Sequence, residues 1–270
     1  MSASPVAAAG AAAEPWTPLP YADLPRYDAR TVQSQWPRLH AGHPLPPPAR
    51  EHPLAEGWAL YHSGAFERAA AVGLRHGREG LALANQATAI YANYLEPREA
   101  VRLALFRQVV ERATAQVATE PDNCQALYWQ AYALGRYSQG ISVARALAQG
   151  LGTKVKGALE RVIELQPHHA DAHIALAAFH AEVIDKVGML VGRMTYGVRA
   201  ETAIELFERG LQLNPHSASA LMEYARGLLM LQGDSHMAEA TRLYEKAAAL
   251  EPADARERLD VELARAGLSD

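Results

Sequence analysis

Four stretches decide the fold, and each of them ends in a proline: Val117-Ala-Thr-Glu-Pro121, Ile163-Glu-Leu-Gln-Pro167, Leu211-Gln-Leu-Asn-Pro215 and Ala248-Ala-Leu-Glu-Pro252. Each proline follows an amphipathic run. A proline just past the last turn stops a helix, because it has no N–H to donate and clashes with the preceding turn. Four equivalent stops therefore predict an internal repeat built from helices.

Small and bulky residues recur at fixed distances from these prolines. A small or β-branched residue stands twelve positions before Pro167, Pro215 and Pro252, and a leucine or aromatic residue stands eight positions before each of them. An alanine stands ten positions after Pro121, Pro167 and Pro215. Such offsets put the side chains on one helix face, and the alanines allow two antiparallel helices to approach closely. In that order the residues are Val155, Ala203 and Ala240; Leu159, Phe207 and Tyr244; and Ala131, Ala177 and Ala225.

This pattern resembles the tetratricopeptide repeat, a helix–turn–helix unit of about 34 residues. An earlier unit fits residues 57–77, and residues 79–118 predict two further helices that are separated near Pro97. No stretch alternates with a period of two for long, so no sheet is predicted. The resemblance implies an all-α superhelix of about four helix pairs, which a capping helix at about residues 253–267 would close.

Two units are longer than the simple repeat. The prolines are 46, 48 and 37 residues apart, which leaves insertions between helix A and helix B of the first two units. Val143, Leu147, Leu151 and Val155 are spaced by four, so the first insertion predicts a longer helix B that bends near the following glycines. Residues 187–197 predict a short apolar helix ended by glycine.

Insertions at these places resemble the regulator of microtubule dynamics family over about residues 124–250. The best-matching parts are Ala126-Leu-Tyr-Trp-Gln-Ala-Tyr132, Phe179-His-Ala-Glu-Val183 and Tyr196-Gly197. The repeat layout is also similar to the repeat component associated with TRAP transporters, a periplasmic lipoprotein. The families that the chain resembles include members that hold lipid-like ligands in a helical cavity.

The first fifty residues have a different character. Residues 1–50 contain ten of the sixteen prolines and show no apolar periodicity, so we predict a flexible or extended Pro/Ala-rich arm before a helical domain over residues 51–270. Aromatic residues such as Trp16 and Trp36 could pin part of this arm onto the domain. The start lacks the basic and strongly apolar regions of a signal peptide, which favours the cytoplasm, with the periplasm as the alternative. No stretch reaches the ~20 strongly apolar residues of a membrane span.

The sequence carries no recognisable catalytic or metal-binding motif. A net charge of -4 argues against a nucleic-acid partner, and Cys124, the one cysteine, excludes an internal disulfide. His169, His173 and His180 share a helix face, but roughly 16 Å of helical rise separates the first from the last, so packing is favoured over a metal site. We therefore predict no enzyme, no metal and no cofactor.

A surface is the remaining candidate. In tetratricopeptide arrays helix A of each unit lines a concave groove, and tyrosine, methionine and arginine are favoured at interaction hot spots. The sequence predicts a non-enzymatic scaffold that binds a protein partner in this groove. The matching positions are Gln125, Tyr128, Tyr132, Arg136, Asp171, Ile174, Glu182, Met222, Arg226 and Met230.

The alternative is a hydrophobic small molecule or lipid held in a helical cavity. The insertions contain more apolar bulk than a plain hairpin needs, and a ligand pocket would be concave and mostly apolar. The other explanation is that these residues bind no ligand and only seal the hydrophobic core. They are Leu147, Leu151, Met189, Leu190, Val191 and Met194.

Overall fold

The structure, a computed structural model, describes residues 15–269. This part of the chain contains α-helices, one 3-10 turn at Gly233–His236 and no strand. The α-helices are, in order, α1 (Ala29–Leu39), α2 (Pro53–His62), α3 (Phe66–Arg75), α4 (Gly77–Tyr94), α5 (Glu99–Thr119), α6 (Cys124–Gln139), α7 (Val143–Ala148), α8 (Leu151–Leu165), α9 (Ala170–Val187), α10 (Met189–Tyr196), α11 (Ala200–Leu213), α12 (Ala218–Gln232), α13 (Met237–Ala248) and α14 (Ala255–Gly267).

Ten of these helices form five consecutive pairs. In each pair helix A packs on helix B: α2 on α3, α4 on α5, α6 on α8, α9 on α11 and α12 on α13. Successive pairs are also in contact, through α3 with α4, α5 with α6, α8 with α9, and α9 with α12. The predicted tetratricopeptide-like array is confirmed. It has five pairs where about four were predicted, because α2 to α5 make two complete pairs.

The four prolines lie in turns of one design. Three of them stand two residues after the end of helix B, and all four stand three residues before the next helix begins. The residue two positions after each proline is a polar N-cap, whose side chain accepts a hydrogen bond from the backbone N–H three residues further on. These N-caps are Asn123, His169, Ser217 and Asp254.

The two insertions form separate short helices. The first was predicted to lengthen helix B, but Gly150 adopts a left-handed backbone (φ 62°) and divides α7 from α8. A glycine reaches this conformation at little cost, so the chain turns sharply there. The second insertion is α10, which ends at Gly197 (φ 68°) as predicted.

The pairs approach closely at small residues, as the pattern predicts. Ala131, Ala177 and Ala225 are all buried. An ideal Cβ on Gly210 would lie 2.5 Å from Ile174 Cδ1, so α11 approaches α9 so closely that an added methyl group would displace the Ile174 side chain. Phe207 is fully buried and stacks on Tyr224 with ring centroids 5.1 Å apart. The buried apolar residues form three clusters along the array, which partly buried leucines such as Leu206 and Leu211 connect.

The described part of the arm lies against the helical body. Residues 29–39 form α1 where a flexible or extended segment was predicted, and residues 1–14 lie outside the described residues. Val32, Trp36 and Leu39 form the buried face of α1, and Trp16 stacks on Tyr91 of α4 at 4.1 Å. The Pro/Ala-rich composition suggested that the arm could not offset the entropy lost on ordering. Burial of its aromatic side chains provides that free energy. The domain division near residue 50 stays a prediction.

The predicted C-terminal helix is present as α14, and it does more than cover the last pair. It packs on α12 and α13, and it also reaches α2 near the other end of the array. Between residues 15 and 269 no helix combines the length and the apolar character that a bilayer span requires.

Candidate functional site

Part of the concave side of the array is covered by the N-terminal arm. The backbone N–H of Asp171 on α9 donates to Gly42 O at 2.8 Å, and Gln125 Nε2 on α6 donates to Pro44 O at 3.3 Å. Between these contacts His43 is buried, with Nε2 3.0 Å from Gln86 Oε1 on α4. The arm therefore crosses the A helices of three consecutive pairs.

Helix α14 crosses the same concave side and is held to α9 by an ion pair and to α4 by a hydrogen bond. Arg256 Nη1 lies 3.2 Å from Asp171 Oδ2, and the Arg256 Nε lies 3.9 Å from Asp260 Oδ2. Tyr94 of α4 donates its hydroxyl to Asp260 Oδ1. Asp171 also faces the arm, with Oδ2 3.3 Å from His43 Nδ1. One buried network thus connects the arm, α4, α9 and α14.

The two carboxylates of this network respond to burial in opposite ways. Burial alone would raise the pKa of Asp171, but the Arg256 charge and the hydrogen bond from His43 hold that pKa well below its usual range. Asp260 is also fully enclosed. Its burial outweighs the opposing effect of the Arg256 charge and raises the pKa of Asp260 to about 6. Asp171 has the closer Arg256 contact and the His43 hydrogen bond, whereas the neighbouring carboxylates of Asp254 and Glu257 add to the rise at Asp260.

Beside this network the concave side keeps a cavity of about 200 Å³. Its walls come from α6, α9 and α12, which are the A helices of three consecutive pairs, and from α7 and α8. The lining combines two kinds of side chain. The apolar ones include Val143, Leu147, Leu151, Val155 and Phe179; the aromatic hydroxyl and charged ones include Tyr94, Tyr128, Tyr132, Arg136, Glu223 and Arg256.

The charged side chains of the cavity are paired across helices. Arg136 Nη2 on α6 lies 3.1 Å from Glu223 Oε1 on α12, and its guanidinium lies 5.5 Å from the centre of the Tyr132 ring. Arg136 Nη1 also donates to Gln139 Oε1 at 3.2 Å, and Glu182 of α9 accepts from Gln139 Nε2 at 2.6 Å and from Lys186 Nζ at 3.2 Å. These pairs hold the rim in place and leave the cavity nearly neutral.

Six of the ten predicted groove residues come together in this cavity: Tyr128, Tyr132, Arg136, Asp171, Ile174 and Glu182. The remaining four lie elsewhere. Gln125 is held by the arm, and Arg226 donates to the Tyr244 hydroxyl at 3.1 Å. Met230 is half-buried outside the cavity lining.

The prediction for Met222 is wrong. Met222 is only 2% exposed and packs with Val261 and Ala264 of α14. The helix face that would be open in a linear array is covered here, because α14 lies against it. On α12 the cavity is lined by Ser219, Ala220 and Glu223.

The three aligned histidines have separate local roles. His169 is buried, and its Nδ1 accepts from Ala172 N at 3.1 Å as the N-cap of α9. His173 Nε2 lies 3.0 Å from Pro167 O, and Arg199 N donates to His180 Nδ1 at 3.2 Å. Burial lowers the pKa of His169 to about 3, so this imidazole is neutral at physiological pH.

Sequence reasoning missed Arg256, Glu223 and Tyr94. Arg256 lies four residues before Asp260, an ordinary ion-pair spacing on a solvated helix, so no local signal distinguished it. Its role depends on α14 folding back across the array. Glu223 directly follows Met222 on α12, and this position beside a predicted groove residue is the one signal that the sequence carries for it.

Comparison with known proteins supports the architecture. No known family profile matches the chain, and no curated protein does either. The structure of TTC0263, a thermophilic tetratricopeptide protein of Thermus thermophilus, is 19% identical with a TM-score of 0.55, over 79% of this chain and 97% of that one. The human IFIT1 dimer with PPP-AAAA is 19% identical with a TM-score of 0.43, over 83% and 56% of the two chains.

By fold, this chain is a tetratricopeptide-type helical repeat protein. At 19% identity the Thermus structure shows this fold alone. The similarity to the regulator of microtubule dynamics family stays a resemblance of sequence.

Proposed function

We propose that this protein is a non-enzymatic scaffold that binds a partner protein on the concave side of α6, α9 and α12. In this binding mode an apolar side chain of the partner enters the cavity. The observation that carries the proposal is the convergence of Tyr128, Tyr132 and Arg136 on one cavity bounded by three consecutive A helices. Buried tyrosine and arginine around a pocket are typical of interaction hot spots.

The size of the cavity favours an anchoring side chain over a large ligand. Drug-sized ligands fill pockets of about 300–1,000 Å³, and a dry cavity of about 150 Å³ is enough for one benzene ring. The cavity here is about 200 Å³, which suits one large aromatic or aliphatic side chain. Arg136 and Glu182 line it and are each about one-quarter exposed beside their partners within the chain, so polar groups of the bound protein can still reach them.

The arm and α14 restrict where the partner can lie. They cover Gln125 and the Asp171 backbone, so a long peptide cannot follow the whole groove without displacing them. The proposed contact is therefore confined to the region around the cavity and to the rim formed by Gln139, Glu182 and Lys186.

Two glycines provide a matched test. An ideal Cβ on Gly135, in the cavity wall, meets no atom within 4 Å, and the same holds for Gly157 on the exposed part of α8. Gly135→Phe fills the cavity without a backbone clash, whereas Gly157→Phe adds the same group elsewhere. We expect Gly135→Phe to lose the partners that wild type and Gly157→Phe both capture. Identical partner sets from all three proteins would contradict the proposal.

A hydrophobic small molecule is the second candidate, because the insertion supplies an apolar wall. The cavity lining includes Leu147 and Leu151, which the sequence predicts for a hydrophobic ligand, and also Val143. Met189, Leu190, Val191 and Met194 do not, since each is more than half exposed. Native mass spectrometry distinguishes the candidates: a bound small molecule present in wild type and Gly157→Phe but absent from Gly135→Phe favours a ligand, and its absence from all three favours the protein partner.

A further inference from the structure

The insertion helix α10 exposes an apolar face. Leu190 is 73% exposed and Met194 is 80% exposed, and Met189 and Val191 beside them are 61% and 52% exposed. Single exposed apolar residues are common on soluble proteins, but four within six consecutive positions form a patch. The patch has no covering element among residues 15–269, so its exposure needs an explanation.

The orientation of α10 is fixed by its opposite face. Gly192 is buried, and an ideal Cβ there would lie 2.8 Å from Val198 Cγ2 and 3.1 Å from Val183 Cγ1. Tyr196, one turn later, packs on Phe179 with ring centroids 5.9 Å apart. Since each residue turns the helix by about 100°, Leu190 and Met194 lie roughly 160° and 200° from Gly192. They therefore project directly away from the body.

The first insertion helix lies at the same edge of the molecule. An ideal Cβ on Gly152, at the start of α8, would be 2.8 Å from Tyr196 Cε1 of α10. Val143 and Leu147 of α7 are 45% and 46% exposed, and they line the same cavity as Tyr196. Together α7 and α10 present exposed apolar side chains beside the cavity.

The two insertion segments are basic, and Glu160, Asp185 and Glu201 stand directly outside them. Residues 140–159 and 186–200 contain no aspartate or glutamate, whereas the complete sequence has 30 acidic and 26 basic residues. The two segments hold six basic residues, and four of them are exposed and take part in no ion pair within the described chain. These four are Arg145, Lys154, Arg193 and Arg199.

We propose that α7 and α10 form a peripheral docking surface for a bilayer that contains anionic lipid. A short amphipathic helix with protruding methionine and leucine inserts its apolar side chains at the headgroup boundary, while nearby lysine and arginine side chains attract the anionic headgroups. Leu190 and Met194 are the most exposed of its apolar groups and project away from the body, which suits a deformable interface. Leu190 and Met194 of α10 lie outside the cavity lining, whereas Val143 and Leu147 of α7 belong to both surfaces.

A second copy of the chain fits the surface less well. A two-fold contact would place the same patch on both subunits and would bring Arg145, Lys154 and Arg193 of each copy together without acidic partners. Repulsion between these groups opposes self-association, whereas the negative potential of an anionic leaflet attracts all of them.

Vesicle flotation tests the proposal. The wild-type chain is mixed with vesicles of phosphatidylcholine alone, or of phosphatidylcholine and phosphatidylserine in equal parts. We expect binding to the anionic vesicles at least about tenfold stronger than to the neutral ones, and weaker binding as salt is added. Leu190→Ser/Met194→Ser should reduce binding to the anionic vesicles by about tenfold or more.

A charge variant separates the electrostatic contribution. Each lysine or arginine near an anionic surface contributes roughly a fivefold effect, so Arg145→Gln/Lys154→Gln/Arg193→Gln should weaken binding by on the order of a hundredfold. The matched controls are Leu74→Ser/Met237→Ser, at apolar residues that are each 48% exposed, and Arg30→Gln/Arg50→Gln/Arg75→Gln at exposed arginines. Both controls should bind like wild type, and thermal unfolding should show that every variant is folded.

Three results would overturn the proposal. One is a wild-type chain that binds neither kind of vesicle. Another is a control variant that loses as much binding as its counterpart on α7 and α10. The third combines two measurements: wild type floats with no vesicle, and it sediments as a dimer that Leu190→Ser/Met194→Ser dissociates. That result would make the surface a contact between two copies of the chain.

Discussion

Asp171 Oδ2 lies 3.2 Å from Arg256 Nη1 and 3.3 Å from His43 Nδ1, so one carboxylate connects the fourth helix pair to both the N-terminal arm and the C-terminal helix. The backbone N–H of the same residue donates to Gly42 O at 2.8 Å. Asp171 was chosen from sequence as a groove residue. Its side chain does face the concave side, but most of its bonding capacity is used within the chain.

The Asp171–Arg256 pair should be energetically coupled. Asp171→Ala leaves Arg256 with the more distant Asp260, and Arg256→Met leaves a buried carboxylate without its cation. Each single change should lower the free energy of unfolding by about 3–5 kcal/mol, because removing one partner leaves the other charge buried and unpaired. In urea unfolding, the double variant should lose at least about 1 kcal/mol less than the two single losses combined. Strictly additive losses would mean that the pair does not interact in solution.

The stability of the protein should fall on mild acidification. Burial lowers the pKa of His169 to about 3 and holds the pKa of His40 well below 6.5. Below pH 6.5 the unfolded chain therefore binds protons that the folded chain does not, and stability is lost as the pH falls. Asp260 acts in the opposite direction between pH 3.8 and about 6, because its pKa is raised in the folded state. Burial lowers the pKa of His173 and His180 as well, so four histidines act against one aspartate and leave a net loss.

His169→Asn isolates one of these contributions. Asparagine keeps an N-cap acceptor for Ala172 N but does not titrate. Between pH 6 and 4 the slope of unfolding free energy against pH should be smaller by about 1.4 kcal/mol per pH unit in this variant. Chemical denaturation at a series of pH values measures the slope. Equal slopes for the variant and wild type would show that His169 is protonated in the folded state.

Docking of the arm should be sensitive to a single methyl group at residue 42. An ideal Cβ on Gly42 would overlap the Asp171 carboxylate, so Gly42→Ala should displace the arm. We expect a loss of about 1–3 kcal/mol in stability and faster proteolytic cleavage within residues 15–50.

Gly157→Ala is the control for this change. Its Cβ would meet no atom within 4 Å on α8, so the substitution should leave cleavage unchanged and raise stability by about 0.5–1 kcal/mol. Limited proteolysis followed by mass spectrometry locates the cuts. Unchanged cleavage in Gly42→Ala would show that the arm tolerates the added methyl group where it lies.

The thiol of Cys124 should react slowly in the folded protein. Cys124 is 9% exposed at the start of α6, and burial raises the pKa of its thiol. Because the thiolate is the reactive form, alkylation should be at least about tenfold slower than in urea-unfolded chain. The rate of iodoacetamide labelling measures this, and equal rates in the two states would indicate that α6 frays at its first turn.

The repeat could be predicted from sequence because its determinants are local. A proline, a polar N-cap two residues later and an alanine ten residues later specify a turn and a close helix contact within one unit. The short helix at α10 was also predictable, since glycine at both ends limits its extent. Such features depend on residues that are near one another in the chain.

The covering elements could not be predicted in the same way. The position of α14 depends on contacts such as Tyr94 with Asp260, 166 residues apart, and no pattern within α14 shows them. The arm did contain a local signal. Asp28 and Thr31 form a capping box, and Val32, Trp36 and Leu39 follow at helical spacing, but the surrounding prolines concealed them.

The return of α14 to α2 has a consequence for how this architecture can vary. Simple solenoids gain or lose whole units freely, because each unit meets only its neighbours. Here α14 touches the first pair and the last pair together. A duplicated unit would separate those two ends by the thickness of one more hairpin and would leave the closing helix too short to reach both. The number of pairs is thereby set at five by a ring closure, and a chain with six would need a different terminal helix.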